Sequence, residues 1–471
     1  MPNRTRLTWL LLGYAALRVF SYFFGPATPL FVAHPLNTAV TGVIVALVTL
    51  LLLKNDRRGW FIIAGEIILG GGGNYLEAFN LSIRTWLLLA SLAVFFGKLL
   101  YNHRIKSLWT SEKLAIITIT LLYIAIAWGS LNGLLQDHNY KLIINDALPY
   151  LFILYYFPLR QLWTDELKSF IFDLIVAAII GNFLLIIFTF VGFSSHLFIL
   201  QDNYYHWFRD IAHGKITELG FFYRLVINEH LLLIPLLIYF AAAIIKKEHA
   251  RLFTGLALLL LILLSINLTR IYLVALAISF CFLFTKKYWR RWLAVGLGGA
   301  VIFIISFTSI HLTASRGASL GWELFGIRLS SIVAPSTENS SLSRLLLLPK
   351  IITKIQMNPF LGWGLGETIT VYSPVFKKEV TTPHFDWGYL EILTELGIIG
   401  FFAWYKLLQL VNKRIKAAPR PSWQLASLIA LLVINITSPA LFHVFGIIWL
   451  TILLYHKPTQ SVVTSTDVFS K

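Results

Sequence analysis

Thr381–Phe401 reads TTPHFDWGYLEILTELGIIGF. A histidine and an aspartate in polar surroundings lead into an apolar helix that still carries Glu391 and Glu395. The two glutamates are spaced i, i+4 and so share one helical face. In water that is an ordinary amphipathic helix. In a bilayer, carboxylates within a span are costly and often functional, although negative charge in the first turns is favoured by the helix N-terminus. The rest of the chain identifies the solvent. Of 471 residues, 57% are hydrophobic and 13% charged, with a mean hydropathy of +0.74, whereas a soluble domain carries about 25% charged residues. The chain reads as an integral membrane protein.

Apolar runs long enough to cross a hydrocarbon core of ~30 Å recur from end to end. Barrel strands would be about 10 residues long with strict alternation, so the spans are read as helices. They fall near 7–24, 36–53, 59–73, 85–100, 113–130, 147–159, 169–193, 225–245, 252–267, 271–285, 292–310, 387–405, 422–437 and 439–455, about fourteen by the length criterion. Arg18 interrupts the first, and no small-residue cleavage site follows it, so it is expected to stay as a membrane helix. The expected fold is all-α and polytopic: a helical bundle over 1–310 with an outer loop near 194–224, a large outer loop over 311–385 carrying an amphipathic helix, C-terminal spans over 386–456, and a polar cytoplasmic tail over 457–471.

Lys and Arg concentrate in the turns KNDRR, KLLYNHRIK, LRQLWTDELK, KKEHAR, KKYWRR and KLLQLVNKRIK and near both termini. Cytoplasmic loops are the basic ones, so both ends are expected inside. The net charge of +17 is then mostly an orientation signal plus attraction to anionic lipid heads, and nucleic acid is not an expected partner. The single cysteine, Cys281, lies in an apolar run and reads as a small hydrophobe.

In the large outer loop, SLSRLLLLPKIITKIQ sets apolar residues at helical spacing with Arg344, Lys350 and Lys354 between them, the pattern of a helix lying along a membrane surface. NPFLGWGLGE follows, where Pro359 stops the helix and alternate glycines permit a tight backbone. A dinucleotide loop would need a soluble βαβ context, which is missing. GxxxxGK, DxD and HExxH do not occur. Neither nucleotide hydrolysis nor a dedicated metal site is expected.

This topology leaves Arg84, Arg209, Arg224, Arg270, Arg316, Arg328 and Arg344 outside, against the bias that draws cations inward. A guanidinium grips phosphate in a bidentate fork and keeps its charge at any relevant pH. Arg270, Arg344, Arg316 and Arg328 are the candidates for holding a diphosphate at the outer surface. Snorkelling anchors are common where Arg84 and Arg270 lie, and a solvated charge is the plain alternative for Arg316 and Arg328. His384 is the leading base candidate, since an imidazole accepts a proton near neutrality. Asp386 either orients it or takes the proton itself.

RLLLLPKIITKIQMNPFLGWGLGE followed by HFDWGYLEILTELGIIGFFAW resembles the O-antigen ligase and O-antigen polymerase superfamily of bacterial membrane proteins. LLSINLTRIYLVAL is similar to that family's segment with an arginine at the outer end of a late span. The resemblance implies a GT-C-type glycosyltransferase, metal-independent and inverting, at the outer face of the cytoplasmic membrane. Its donor would be a glycan on undecaprenyl diphosphate, and its acceptor a saccharide or a lipid-A-core-type hydroxyl. Arg270 and Arg344 would hold the diphosphate and His384 would deprotonate the acceptor. One departure stands: the family writes its histidine three residues before the aromatic of the YL pair, whereas His384 is five before Tyr389 and Asp386 occupies the expected place. The rival from another class is a polysaccharide or lipid transporter, which would set its polar groups near the midplane along a pathway.

Overall fold

The computed structural model describes residues 2–25, 34–103, 105–334, 339–373, 377–383, 385–417 and 422–455. His384 and the tail 457–471 lie outside the described residues. The chain forms α1 (Arg4–Phe24), α2 (Pro35–Leu53), α3 (Arg58–Gly65), α4 (Ile83–Tyr101), α5 (Ile105–Leu135), α6 (Tyr140–Ala147), α7 (Tyr156–Leu162), α8 (Asp165–Ser194) and the short α9 (Asn203–His206). There follow α10 (Leu233–Lys246), α11 (Ala250–Asn267), α12 (Arg270–Cys281), α13 (Trp289–Ala314), α14 (Trp322–Val333), α15 (Asn339–Met357), α16 (Gly388–Lys416), α17 (Ser422–Ile434) and α18 (Val444–Tyr455). Among the described residues nine helical stretches are long and apolar enough to cross a membrane, and α12 and most of α17 and α18 are shorter apolar helices. This is an all-α polytopic membrane protein. Among the described residues three small antiparallel hairpins, β1–β2 (Glu77–Ala78 and Leu81–Ser82), β3–β4 (Lys215–Leu219 and Phe222–Val226) and β5–β6 (Ile369–Ser373 and Lys378–Thr382), join the helices.

Local chemistry starts and stops these helices. The Thr164 hydroxyl accepts from the Leu167 amide at 3.3 Å, and Asp165 and Glu166 follow in the first turn of α8, where acidic groups complement the helix dipole. At the end of α2, Lys98 Nζ donates to the Leu52 and Leu53 carbonyls at 2.6 and 3.0 Å, satisfying orphaned acceptors.

Two sets of loops meet at opposite ends of the bundle. At one, here the cap end, the Asn74 amide donates to the Ile211 carbonyl at 2.7 Å, Arg224 reaches Asn267 and Thr269, and His138 reaches Leu365. At the other, Glu112 of α5 is buried and receives Tyr156 Oη, the Arg160 guanidinium and, at 2.8 Å, Arg414 Nη2. One carboxylate thus ties α5, α7 and α16 together.

Several expected spans are not continuous α-helices: 147–159 runs as a 3₁₀ helix over Leu148–Tyr155, and two others break. Over 59–73 the α-helix passes into a π-helical turn at Glu66–Gly70 and ends at Gly71, whose φ is +62°. Within α16 the helix breaks at Gly397, with φ 64° and ψ −168°. A break inside lipid strands backbone groups at several kcal/mol each unless something else pairs them. Here the NPFLGWGLGE segment does so. Trp363 and Gly364 donate their amides to the Thr394 and Glu395 carbonyls at 2.8 and 2.9 Å, while Ile398 and Ile399 donate to the Pro359 and Phe360 carbonyls at 2.9 and 3.3 Å. On its other side the segment presses on α5, with the Leu365 amide on the Gly129 carbonyl at 2.8 Å and Asn132 Nδ2 on the Gly362 carbonyl at 2.9 Å.

Gly364 has φ +94°, and a Cβ there would come within 2.1 Å of the Gly133 nitrogen. Gly364→Ala is therefore expected to lower stability by more than the ~1–3 kcal/mol of a strained backbone alone, read as a large drop in the unfolding midpoint of the purified protein in detergent. Gly298→Ala, in a helix with nothing within 4 Å, should leave it unchanged or slightly raised. Glu112→Ala should cost about 3–5 kcal/mol by stranding two arginines, in the same measurement.

Candidate functional site

The site grows from the cap end. Leu268, at φ +44°, turns the chain from α11 into α12, so that Arg270 is the first residue of α12. Arg224, on β4, holds that turn: its Nε donates to the Asn267 carbonyl and its Nη2 to Thr269 Oγ1, both at 2.7 Å. The fully buried Asn267 faces His230 Nδ1 at 2.6 Å. Arg224 and Arg270 are both half-buried. Arg224 was absent from the four arginines singled out as diphosphate ligands. It lies 46 residues before Arg270, and only the β3–β4 hairpin brings it to the turn.

The second half comes from α15 and the start of α16. The inward face of α15, Leu347, Ile351 and Ile355, packs on Ile369 and Val371 of β5, on Phe385, and on Trp387 and Leu390. Leu345 and Ile352, seven residues apart, stay exposed on another face. The amphipathic helix therefore has a protein-covered side and a free apolar side. Trp387 Nε1 donates to the Arg344 carbonyl at 3.1 Å, and Arg344 Nε lies 3.5 Å from Asp386 Oδ2. Asp386 adopts φ +56°, a conformation that aspartate tolerates better than most residues. The Phe385 amide points to Glu391 Oε2 at 3.4 Å, so one of the helix glutamates steadies the loop on either side of which His384 and Asp386 lie in sequence.

The structure thus pairs Arg344 with Asp386. Arg328 is buried on α14 and engaged there, and α14 packs on α12. Arg316 is exposed at the end of α13 with φ +52°. Its guanidinium has no hydrogen bond or ion pair among the described residues. His384 lies outside them.

Behind this pair sits a group that sequence reading passed over. Glu367, the last residue of GWGLGE, is buried between Lys354 Nζ at 2.9 Å and His138 Nε2 at 3.4 Å. Lys354 also lies over the Trp363 ring at 4.8 Å. Gly366 donates its amide to Asp146 at 2.8 Å. The signal was present in the glutamate that closes the glycine run, but its partners are more than two hundred residues upstream or on α15.

In early spans, Arg18 and Glu66 bring ionisable groups into the bundle. Arg18 is sandwiched by the Tyr14 and Tyr75 rings at 3.6 and 4.4 Å from their centroids and lies 4.0 Å from Glu229. These are packing and charge contacts between α1 and distant elements.

Comparison with known proteins adds one finding. No curated protein and no solved structure matches the chain. Residues 255–405 match the family model described as O-antigen ligase. The matched segment runs from α11 into α16 and includes Arg270, Arg316, Arg328, Arg344, His384 and Asp386, while Arg224 precedes it. This match supports placing the chain in the O-antigen ligase superfamily.

Proposed function

We propose that the protein is an O-antigen ligase-type membrane glycosyltransferase. It takes a glycan from an undecaprenyl-diphosphate carrier at the outer face of the bacterial cytoplasmic membrane and moves it to an acceptor hydroxyl. The observation that carries the reading is the Arg344–Asp386 pair, 3.5 Å apart at the mouth of α16, within the segment that matches the family.

The chemistry follows from the groups. A lipid diphosphate leaves as a stabilised anion, so guanidinium groups that neutralise the growing charge replace a general acid. Arg270 and Arg344 are assigned to the diphosphate, and Arg224 to holding the turn that presents Arg270. Arg316, exposed, is assigned to the outer part of the same anion, and Arg328, buried on α14, to its inner side. A base on the opposite face of the sugar takes the acceptor proton, and displacement inverts the anomeric centre. His384 and Asp386 compete for that role. A phosphate offers several acceptor oxygens to the Arg344 fork, against a single long contact from Asp386. Donor binding therefore loosens Asp386 and links base availability to an occupied site.

The test is transfer from undecaprenyl-diphosphate glycan by the purified protein in EDTA. Arg270→Ala and Arg344→Ala should each lose about ten- to a hundredfold in rate, since a charge-assisted hydrogen bond contributes about 1.5–3 kcal/mol. Normal turnover in both would sink the diphosphate assignment. Loss in His384→Ala with activity kept in Asp386→Asn assigns the base to the histidine, and the reverse moves it to the aspartate. Product that grows by repeat units on a glycan acceptor would make the protein a polymerase. Lipid-linked glycan crossing vesicles without any transfer would make it a transporter.

A further inference from the structure

At the end of the bundle opposite the cap, several cations meet an acid. Arg57 lies 3.6 Å from Glu166, Arg58 3.2 Å from Asp56 and Lys168 2.7 Å from Asp165, while Arg160 and Arg414 share Glu112. One corner of that end is different. The turn from α10 into α11 carries Lys246, Lys247 and Arg251, and the passage from α12 into α13 carries Lys286, Lys287, Arg290 and Arg291. α13 packs on both α10 and α11, and Arg291 Nη1 donates to the Ile245 carbonyl at 3.5 Å, so the two basic segments form one surface. Glu248 is the only acid in either segment. None of these seven cations pairs with it or with another carboxylate among the described residues.

An exposed cation on a turn is ordinarily solvated, and a basic bias at one end serves to orient a membrane protein. Two observations go beyond that. The surface is held in shape: Trp292 Nε1 donates to the Phe280 carbonyl at 3.0 Å and its ring stacks on Phe280 at 5.2 Å, which fixes the start of α13 against the end of α12. Arg290 then lies over the Trp289 ring at 5.5 Å, and Lys287 and Arg291 lie over Tyr288 at 5.4 and 5.7 Å. A guanidinium stacked in this way keeps the donors on its edge available to an anion. The surface also borders exposed apolar groups. Phe282, Phe284 and Trp289 are about half exposed, and Leu293, Leu297 and Val301 are exposed below them on α13, the least covered of the long apolar helices among the described residues. Cations, aromatic rings and an uncovered apolar helix come in the order of the phosphate, glycerol and acyl regions of a phospholipid.

We infer that this corner binds an anionic phospholipid that carries two linked phosphates. One phosphate engages the Lys286–Arg291 segment and the other the Lys246–Arg251 turn, while the acyl chains lie on α13. A single phosphate would leave one basic segment unmatched. Two phosphates on one molecule engage both, since the second contact is made at the high effective concentration that the link provides. The site is at the end away from the arginines proposed for the donor diphosphate, and the inference does not depend on glycosyl transfer.

The test is native mass spectrometry of the purified full-length protein in neutral detergent, titrated with diphosphatidylglycerol, phosphatidylglycerol or phosphatidylcholine at equal total phosphate. The two-phosphate lipid should bind about tenfold more tightly than phosphatidylglycerol, the effect of one further charge-assisted contact, and phosphatidylcholine should bind least. Replacing Lys286, Lys287, Arg290 and Arg291 by Gln should weaken diphosphatidylglycerol about tenfold, and so should Lys246→Gln with Lys247→Gln and Arg251→Gln. Lys54→Gln with Arg57→Gln and Arg58→Gln removes three cations from another turn at the same end and should change binding by less than about twofold. Arg290→Gln alone, which leaves the Arg291 contact to Ile245 in place, serves if a multiple variant fails to fold, with the unfolding midpoint as the check. An equal loss in the Lys54–Arg58 variant would reduce the effect to general attraction and overturn the proposal. Equal affinity for the one- and two-phosphate lipids, or binding no tighter than that of phosphatidylcholine, would overturn it as well.

Discussion

A helix broken within a bilayer has to find partners for the amides and carbonyls that the break releases. In this protein the partner is the backbone of residues 359–364, which pairs with α16 on both sides of Gly397. The fit requires glycine on each surface. Gly362 would place a Cβ 2.4 Å from the Glu395 carbonyl oxygen, and Gly397 would place one 2.2 Å from that of Phe360. Gly133 on α5 would meet the Leu365 carbonyl oxygen at 2.4 Å. The loop is a wedge held by main-chain hydrogen bonds between two long helices, and its depth leaves no space for side chains at those points.

The site inherits its geometry from this wedge. α15 runs directly into Asn358 and Pro359, so the wedge holds its far end, and the cluster around Phe385 and Trp387 holds its middle against α16. Arg344 lies on the first of these elements and Asp386 at the threshold of the second. Their separation is therefore set by packing that neither residue makes. The same wedge carries Glu367 into a buried position between Lys354 Nζ and His138 Nε2, so the protein itself supplies a cation, Lys354, to that carboxylate. Charge at the opposite end is handled alike, with Glu112 between two arginines.

Hydropathy made most of the membrane helices legible, because residues such as those of α2, α8 and α13 are apolar over whole spans and their length needs no knowledge of neighbours. The amphipathic pattern likewise located α15, and the glycine spacing in GWGLGE announced unusual backbone, which Gly362, Gly364 and Gly366 adopt with φ of +70°, +94° and +77°. What those glycines touch was not legible. Gly133 and Gly397 lie far away in the chain, and a backbone hydrogen bond carries no side-chain signature. The break at Gly397 was hidden for the same reason, since the flanking residues are as apolar as those of an intact helix. The β3–β4 hairpin is too short to show alternation, so Arg224 could not be brought to the turn before Arg270. Arg344 and Asp386 could be named from motif and charge, but their pairing depends on how α15 docks.

The shortness of α12 bears on where Arg270 lies. Twelve residues rise ~18 Å, well under a hydrocarbon core of ~30 Å. Beyond its far end come Lys286, Lys287, Trp289, Arg290 and Arg291, a basic and aromatic group that belongs at a membrane interface. Phe282, Leu283 and Phe284 carry the apolar run from the end of the helix to that group, and Arg270 stands at the opposite, cap-end start of this short helix. α12 packs on α17, and α17 on α18, two further helices of 13 and 12 residues, so the bundle is locally thin rather than crossed by one isolated short helix. A guanidinium among apolar helices is tolerable only in a polar recess closed off from lipid, and the Arg224–Asn267–Thr269 turn supplies one wall beside Arg270. On the proposed function, the donor's diphosphate meets Arg270 in this recess. In that recess the lower dielectric makes a cation's hold on it stronger than it would be at the surface.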